Sequence, residues 1–566
     1  MRVKKLSWQQ WCNYTKKLRR ESIMKKRMLV LIILSVFLVA GLYAGGAQEE
    51  SESGQVLKII HPVNSANWSP LNGGGHEVRW LSLQWASPMY FDANGKLQPY
   101  VFSDWSGNDE STVWTFKIAE DAVFSDGSPI TAEDVKGTWD LATRPSTQHQ
   151  RVNLFLSGVK GFDAVSTGDA MEMSGLAIKD ERTIEVTLDQ PDPIFYQKLA
   201  TALIPPVKIS QAQDADGEQI TEWWHPKNGV VVSGPFMPEE MNLNTGEIVL
   251  VKNPNFFGPE PKLDKIVINT VQDAQTSTMM LQRGQMDAHT ELNTPTMIQD
   301  LGKDFADGAM LAKGHQFWLN SAKAPMDDPD VRKALILAVD TKEMFGVAFP
   351  DGPHKPATQV VNKVEGVDPN FEPYGFDPEA AREALAASSY GDAANLPKIM
   401  FVGVSNPSHE AAAQYIAEQW RQVLGIEGTE MKPAIDSYEG PDQGSIQVFR
   451  DDVGTRVPDM VSYLMGSIHS SSGNAERKMG GYSNTEIDAL LEEAATKSVD
   501  DPQRIELAQK AQRIFRDDWQ YIPYRYDTMS KWAMPWVKNF EKNDDWQVIK
   551  PWAVYIDEEL KAEMAQ

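Results

Sequence analysis

The sequence predicts an α/β chain of more than one domain, and three observations carry that expectation. A chain of 566 residues is too long for one hydrophobic core, and its length favours about two to four domains. Short period-two segments recur: VWTFKI at 113–118 and TIEVTL at 183–188 alternate apolar and polar side chains, as half-buried strands do. Between and after them lie segments of helical period. Val135, Thr138, Trp139 and Ala142 follow Thr131 at helix spacing, and 409–424 is amphipathic. With 42% apolar and 23% charged residues and no low-complexity run, the composition is that of a globular chain.

Taken in order, the chain opens on a basic stretch, Met24-Lys-Lys-Arg27, then an uncharged apolar run from Met28 to Tyr43 and the small residues Ala44 to Ala47. This is the pattern of a secretory signal cleaved after Ala47, with 1–23 as a misassigned leader and 48–55 as a short acidic linker. Residues 56–60 read as a first strand. The loop at 62–75 carries three glycines but no Lys-Ser/Thr after them, which excludes a phosphate loop. A helix is expected over 78–86 and an extended exit over 88–91.

After the strand at 113–118, Phe124 to Gly127 forms a turn with Gly127 free to take a positive φ, and Thr131-Ala-Glu-Asp134 caps a helix. Residues 152–175 read as irregular and peripheral. Pro191 and Pro193 precede a helix over 194–203. Strands follow at 246–252 and 263–271, then a helix over 277–284 ending at Gly284. Pro378 opens a helix to Leu385, 399–404 is a strand, and Gly425 closes the helix over 409–424. Helices lead to Ala494 and span 502–516, and 521–524 is a return strand.

Charge and composition exclude several functions. The formal net charge is −25, and the first 47 residues hold ten Lys/Arg against one acid, so the remainder carries about −34. Such a body is a poor partner for nucleic acid or an anionic membrane. Cys12 is the only cysteine, so neither an intrachain disulfide nor a thiolate metal site can form. His409-Glu410 lacks the second histidine of a zinc helix, and the nine histidines are scattered. No G-x-S-x-G elbow exists, and Asp214 to Gly217 lacks the rest of a calcium loop. The acidic pairs Asp327-Asp328 and Asp451-Asp452 read as caps or solvated surface. No catalytic set, metal or cofactor is therefore expected.

Several segments carry a resemblance. FSDGSPITAEDV at 124–135 follows a Trp-containing strand. LQP at 97–99 leads to Trp105, and VVSGPF stands at 231–236. GEIVLVKNPNFFG stands at 246–258, and Asp327 to Asp340 reads DDPDVRKALILAVD. YSNTEIDALLEEA stands at 482–494 and YIPY at 521–524. In this order they resemble the family 5 extracytoplasmic solute-binding proteins, the oligopeptide-, dipeptide-, nickel- and oligosaccharide-binding subunits of ABC importers. The resemblance covers nearly all of 56–550.

It implies a two-lobed periplasmic-binding-protein fold, class II-like, with three domains and a hinge between lobes. By the resemblance, 56–100, 180–312 and 522–566 form the main domain of lobe I, 101–179 its accessory domain, and 313–521 lobe II, with crossings near Lys313 and Tyr521. It also implies an extracytoplasmic monomer that closes on a small ligand and delivers it to membrane permease subunits. Many members carry a lipid-modified cysteine after the signal; none stands there in this chain.

The ligand stays open between peptide and oligosaccharide. In peptide-binding members, "W-x-x-D-Y-x-x-P" supplies an aspartate that pairs with the peptide α-ammonium. Here QVFRDDVGTRVPDMVSYL at 447–464 allows Asp452 in that role if a gap is placed before Pro458. Without the gap, Arg456 falls there and suits a carboxylate or sugar hydroxyls. Where members carry "Y-E-x-L", this chain has Gln84-Trp85. Seventeen tryptophans favour sugar stacking, with Trp68, Trp85, Trp223, Trp224, Trp318 and Trp420 as candidates. The candidate ligand-binding residues are Trp68, Gln84, Trp85, Trp318, Arg450, Asp452 and Arg456.

Overall fold

Two six-stranded sheets, each with its own hydrophobic core, organise the chain. The computed structural model describes residues 54–62, 67–72, 78–92, 96–290, 297, 300–301, 309–350, 354–402, 407–432, 446–454, 457–529, 532–540 and 552–564. The expected signal segment lies outside them.

In the first sheet the strand order is Trp532–Ala533, Ala288–His289, Val56–His61, Lys265–Thr270, Glu247–Lys252, Phe236–Asn242. Val56–His61 lies inside this sheet, parallel to both of its neighbours. That placement explains VLKIIH, in which Leu57, Ile59 and Ile60 are all buried. A four-stranded antiparallel sheet, Phe102–Gly107, Val113–Ile118, Thr183–Thr187 and Leu176–Asp180, shares its core, through residues such as Phe116 and Trp139.

The second sheet runs Lys355–Pro356, Tyr521–Met529, Ala309–Leu319, Val448–Gly454, Ile399–Val402, Thr429–Lys432. Its core contains Phe317, Trp318, Leu335, Phe401, Trp420, Tyr463 and Phe515, and none of these belongs to the first core. The chain therefore forms two α/β lobes. It passes from the first sheet at His289 to the second at Ala309, and back between Met529 and Trp532.

Local chemistry fixes many helix starts. At Thr131 the capping box is complete: the Asp134 amide donates to the threonine hydroxyl at 3.2 Å, and the Thr131 amide donates to the Asp134 carboxylate at 3.0 Å. Gly127 in the preceding turn has φ +81°. In the second lobe, Asp328, Asp377 and Asp501 each cap a helix whose first residue is proline.

Three expectations are corrected. The helix over 194–203 is reduced to Phe195–Lys198. Leu199, Ala200, Ala202, Leu203 and Ile204 are all buried, which a helix with one apolar face cannot achieve, and Pro205-Pro206 then stop any continuation. Residues 152–175 are not peripheral. They hold the short helices Asn153–Leu156 and Phe162–Ser166, and Phe155, Leu156, Val159 and Val165 enter the first core. The return strand runs to Met529 rather than ending at Tyr524.

One buried ion pair ties the helices of the second lobe together. Arg504, on the Pro502–Asp517 helix, meets both carboxylate oxygens of Asp459 at 3.1 and 2.9 Å and donates to the Ala494 and Lys497 carbonyls. Asp459 is itself the N-cap of Met460–Ser467. Removing the guanidinium strands a buried carboxylate, so Arg504→Ala should destabilise the chain by about 3–5 kcal/mol in urea unfolding. A loss below about 1 kcal/mol would show that the pair does not organise this lobe.

Candidate functional site

The strand Ala309–Leu319 has Val448–Gly454 on one side and Tyr521–Met529 on the other. Its register sets His315 opposite Asp452 on one neighbour and opposite Arg525 on the other, with Phe317 opposite Arg450. Side chains alternate along a strand, so Lys313, His315 and Phe317 share a face with Arg450, Asp452, Arg525 and Asp527. A register shift between His315 and Gln316 adds Tyr524 to this face, where its ring lies 5.4 Å from Phe317. Helical elements supply the rest: the His409 ring is 5.7 Å from His315, and the Arg525 guanidinium lies 4.8 Å above Phe349.

The charges are matched across the three strands. His315 Nε2 is 2.8 Å from Asp527 Oδ2, and an Arg450 N–H reaches His315 Nδ1 at 3.0 Å. A guanidinium only donates, so Nδ1 accepts from Arg450; Nε2 faces both Asp527 Oδ2 at 2.8 Å and an Arg525 N–H at 3.3 Å, and the shorter contact to the carboxylate places the proton on Nε2. That tautomer is neutral, in keeping with burial, which holds His315 below its ordinary pKa. Arg525 Nε is 3.0 Å from Asp527 Oδ1, and the Lys313 ammonium lies 3.1 Å from Asp452 and 3.7 Å from Asp527.

Burial alone would raise both carboxyls. For Asp527, His315, Arg525 and Lys313 override it, and for Asp452 Lys313 does so, keeping both ionised. Burial would lower Lys313, and Asp452 with Asp527 holds it raised instead. Exposure separates the two ends of the cluster. The His315 and Asp527 side chains are 4% and 13% exposed, Lys313 and Asp452 37% and 39%. The Lys313–Asp452 end is therefore the accessible one. This end lies toward Met529, where the chain returns to the first sheet.

Among the described residues no group of His, Cys, Asp and Glu is arranged to hold a metal ion. A depression lined by Ser321, Arg332, Tyr482, Asn484, Asp518 and Gln520 lies at the other end of the same strands. Its charges are engaged internally: Tyr482 and Asn484 both donate to Asp518, and Arg332 donates to the Trp519 and Asp518 carbonyls. The cluster around Asp452 is the better candidate for ligand recognition, since paired charges of both signs suit a zwitterionic or polar ligand.

Comparison with known proteins identifies the family. The family profile described as bacterial extracellular solute-binding proteins, family 5 Middle, matches residues 96–475. The chain belongs to this family. The periplasmic oligopeptide-binding protein OppA of Salmonella typhimurium is 26% identical over 471 residues, covering 80% of this chain and 83% of its own length. The periplasmic murein peptide-binding protein MppA of Escherichia coli is 26% identical over 480 residues, covering 82% and 86%. The unliganded open form of MppA superposes with a TM-score of 0.73 at 22% identity, covering 89% of this chain and 98% of that one, which establishes the shared two-lobed fold.

In this family 5 protein the candidate residues separate. Arg450 and Asp452 come together on the charged face. Trp318 is on the same central strand but on its opposite face, fully buried against Phe515 and Tyr521. Trp68, Gln84 and Trp85 lie in the first core at 2%, 0% and 0% exposure, with Trp85 edge-on to Trp223. Trp224 and Trp420 are buried as well. Arg456 lies outside the described residues. Sequence reasoning missed Lys313, His315, His409, Arg525 and Asp527. The available signal was charge at alternate positions, Lys313 and His315 on one strand and Arg525 and Asp527 on another.

The histidines make stability depend on pH. Burial pushes His354 down to about 3 and lowers His315 and His409 as well, so all three stay neutral in the fold. In the unfolded chain each titrates near its ordinary value of about 6.5. Their contribution is thus complete above pH ~6.5 and is lost as pH falls from there toward about 3, at up to about 1.4 kcal/mol per pH unit for each histidine. Urea unfolding at pH 7.5 and 5.0 should show this fall, and His354→Asn should lessen it while His315 and His409 keep part of it. A stability unchanged between those two pH values would contradict the assignment of neutral histidines.

Proposed function

We propose that this protein is an extracytoplasmic peptide receptor that captures its ligand between the lobes and hands it to the permease of an ABC importer. The observation that carries the reading is the family match, together with relatives whose names specify oligopeptide and murein peptide. The charged face supports it: carboxylates and cations placed side by side suit the two ends and the amide groups of a peptide. Members of the family are binding proteins, so this reading is of a receptor.

The oligosaccharide alternative is not favoured. A tryptophan that stacks on a sugar must present a ring face, and all six candidates are buried. In this reading the hinge is the pair of connections from His289 to Ala309 and from Met529 to Trp532. The second crossing then falls later than Tyr521. Among the described residues no helix is long and apolar enough to cross a membrane.

A thermal-shift screen tests the class of ligand. A peptide at 100 times its Kd should stabilise the chain by about 2.7 kcal/mol, whereas cello-, xylo- and manno-oligosaccharides should leave it unmoved. Stabilisation by an oligosaccharide and by no peptide would reverse the proposal.

A further inference from the structure

We infer that Lys313 is a built-in counter-ion that makes a free α-ammonium dispensable in the ligand, so that N-acylated peptides bind as well as those with a charged N-terminus. The inference rests on the peptide reading above and specifies which peptides the site takes.

Asp452 is the accessible carboxylate of the cluster and the group an incoming ammonium would seek. It is already occupied. Lys313 faces Gly454 in the register, and the absence of a side chain there leaves the lysine stem room to lean two residues back toward Asp452. Its ammonium reaches Asp452 at 3.1 Å on one neighbouring strand and Asp527 at 3.7 Å on the other. The cation is thus held between carboxylates from both sides of the central strand.

A second ammonium brought to Asp452 would meet Lys313 at close range, and like charges repel. If it displaced Lys313, one ammonium–carboxylate pair would replace another, with no electrostatic gain. Lys313 would then depend on Asp527, which His315 and Arg525 already engage. An acylated N-terminus meets neither obstacle. An ammonium has three donors, and with two directed at carboxylates the third is available to the acyl carbonyl. The free and acylated ends therefore come out nearly equal in the native protein. Without Lys313, Asp452 is left uncompensated and favours a cation.

Calorimetric titration of the full chain with tetra-alanine and its N-acetyl form at pH 7 decides the matter. The native protein should bind the two within threefold of each other. Lys313→Met should favour the free amine by tenfold or more, and Lys313→Arg, which keeps the charge, should restore the native ratio. A native preference of tenfold or more for the free amine overturns the inference and decides it even if Lys313→Met does not fold. A Lys313→Met ratio still within threefold also overturns it, leaving the peptide reading intact. Absence of binding by either peptide to the native protein overturns the peptide reading, and this inference with it.

Discussion

A carboxylate inside a sheet face must be matched by cations or hydrogen-bond donors from the strands around it, and Asp527 imposes that requirement on the second lobe. At 13% exposure it cannot rely on water. Its partners come from two strands: His315 and Lys313 from the central one, Arg525 from its own. His315 faces Asp527 with one ring nitrogen while Arg450, from a third strand, donates to the other. The three strands are therefore coupled by a chain of donors and acceptors with little freedom of register. A shift of one residue would turn every member to the opposite face, into contact with the apolar core around Trp318 and Phe515.

That coupling has a consequence for motion. The strands that carry Lys313 and Asp527 are the same two that connect the lobes. The exposed Lys313–Asp452 end of the cluster is the end nearer the return crossing along these strands. The separate hydrophobic cores fit such movement, since each lobe keeps its own packing when their relation changes.

Local features were legible in the sequence and distant ones were not. Thr131 and Asp134 are three residues apart, so their capping box could be read directly, as could the helices beginning Asp-Pro. His315, Arg450 and Arg525 are separated by 135 and 210 residues from the central strand outward, and nothing local states their register. The bulge at His315 hides it further. Arg525 and Asp527 read as the end of a strand, because charge in a strand ordinarily marks exposure; here it is buried and compensated. The tryptophans misled for a related reason. An indole in a core and an indole lining a cleft have the same sequence signature, and only packing distinguishes Trp85 against Trp223 from a ring that meets ligand.

Net charge and site charge act over different ranges. The body from residue 48 onward carries about −34, a field that attracts cations from a distance but is screened beyond about 8 Å at physiological ionic strength. Within the cluster, Lys313, Arg450 and Arg525 stand with Asp452 and Asp527, so the local field a docked ligand meets is not that of the whole molecule. An amine drawn in by the acidic surface finds the accessible carboxylate already paired.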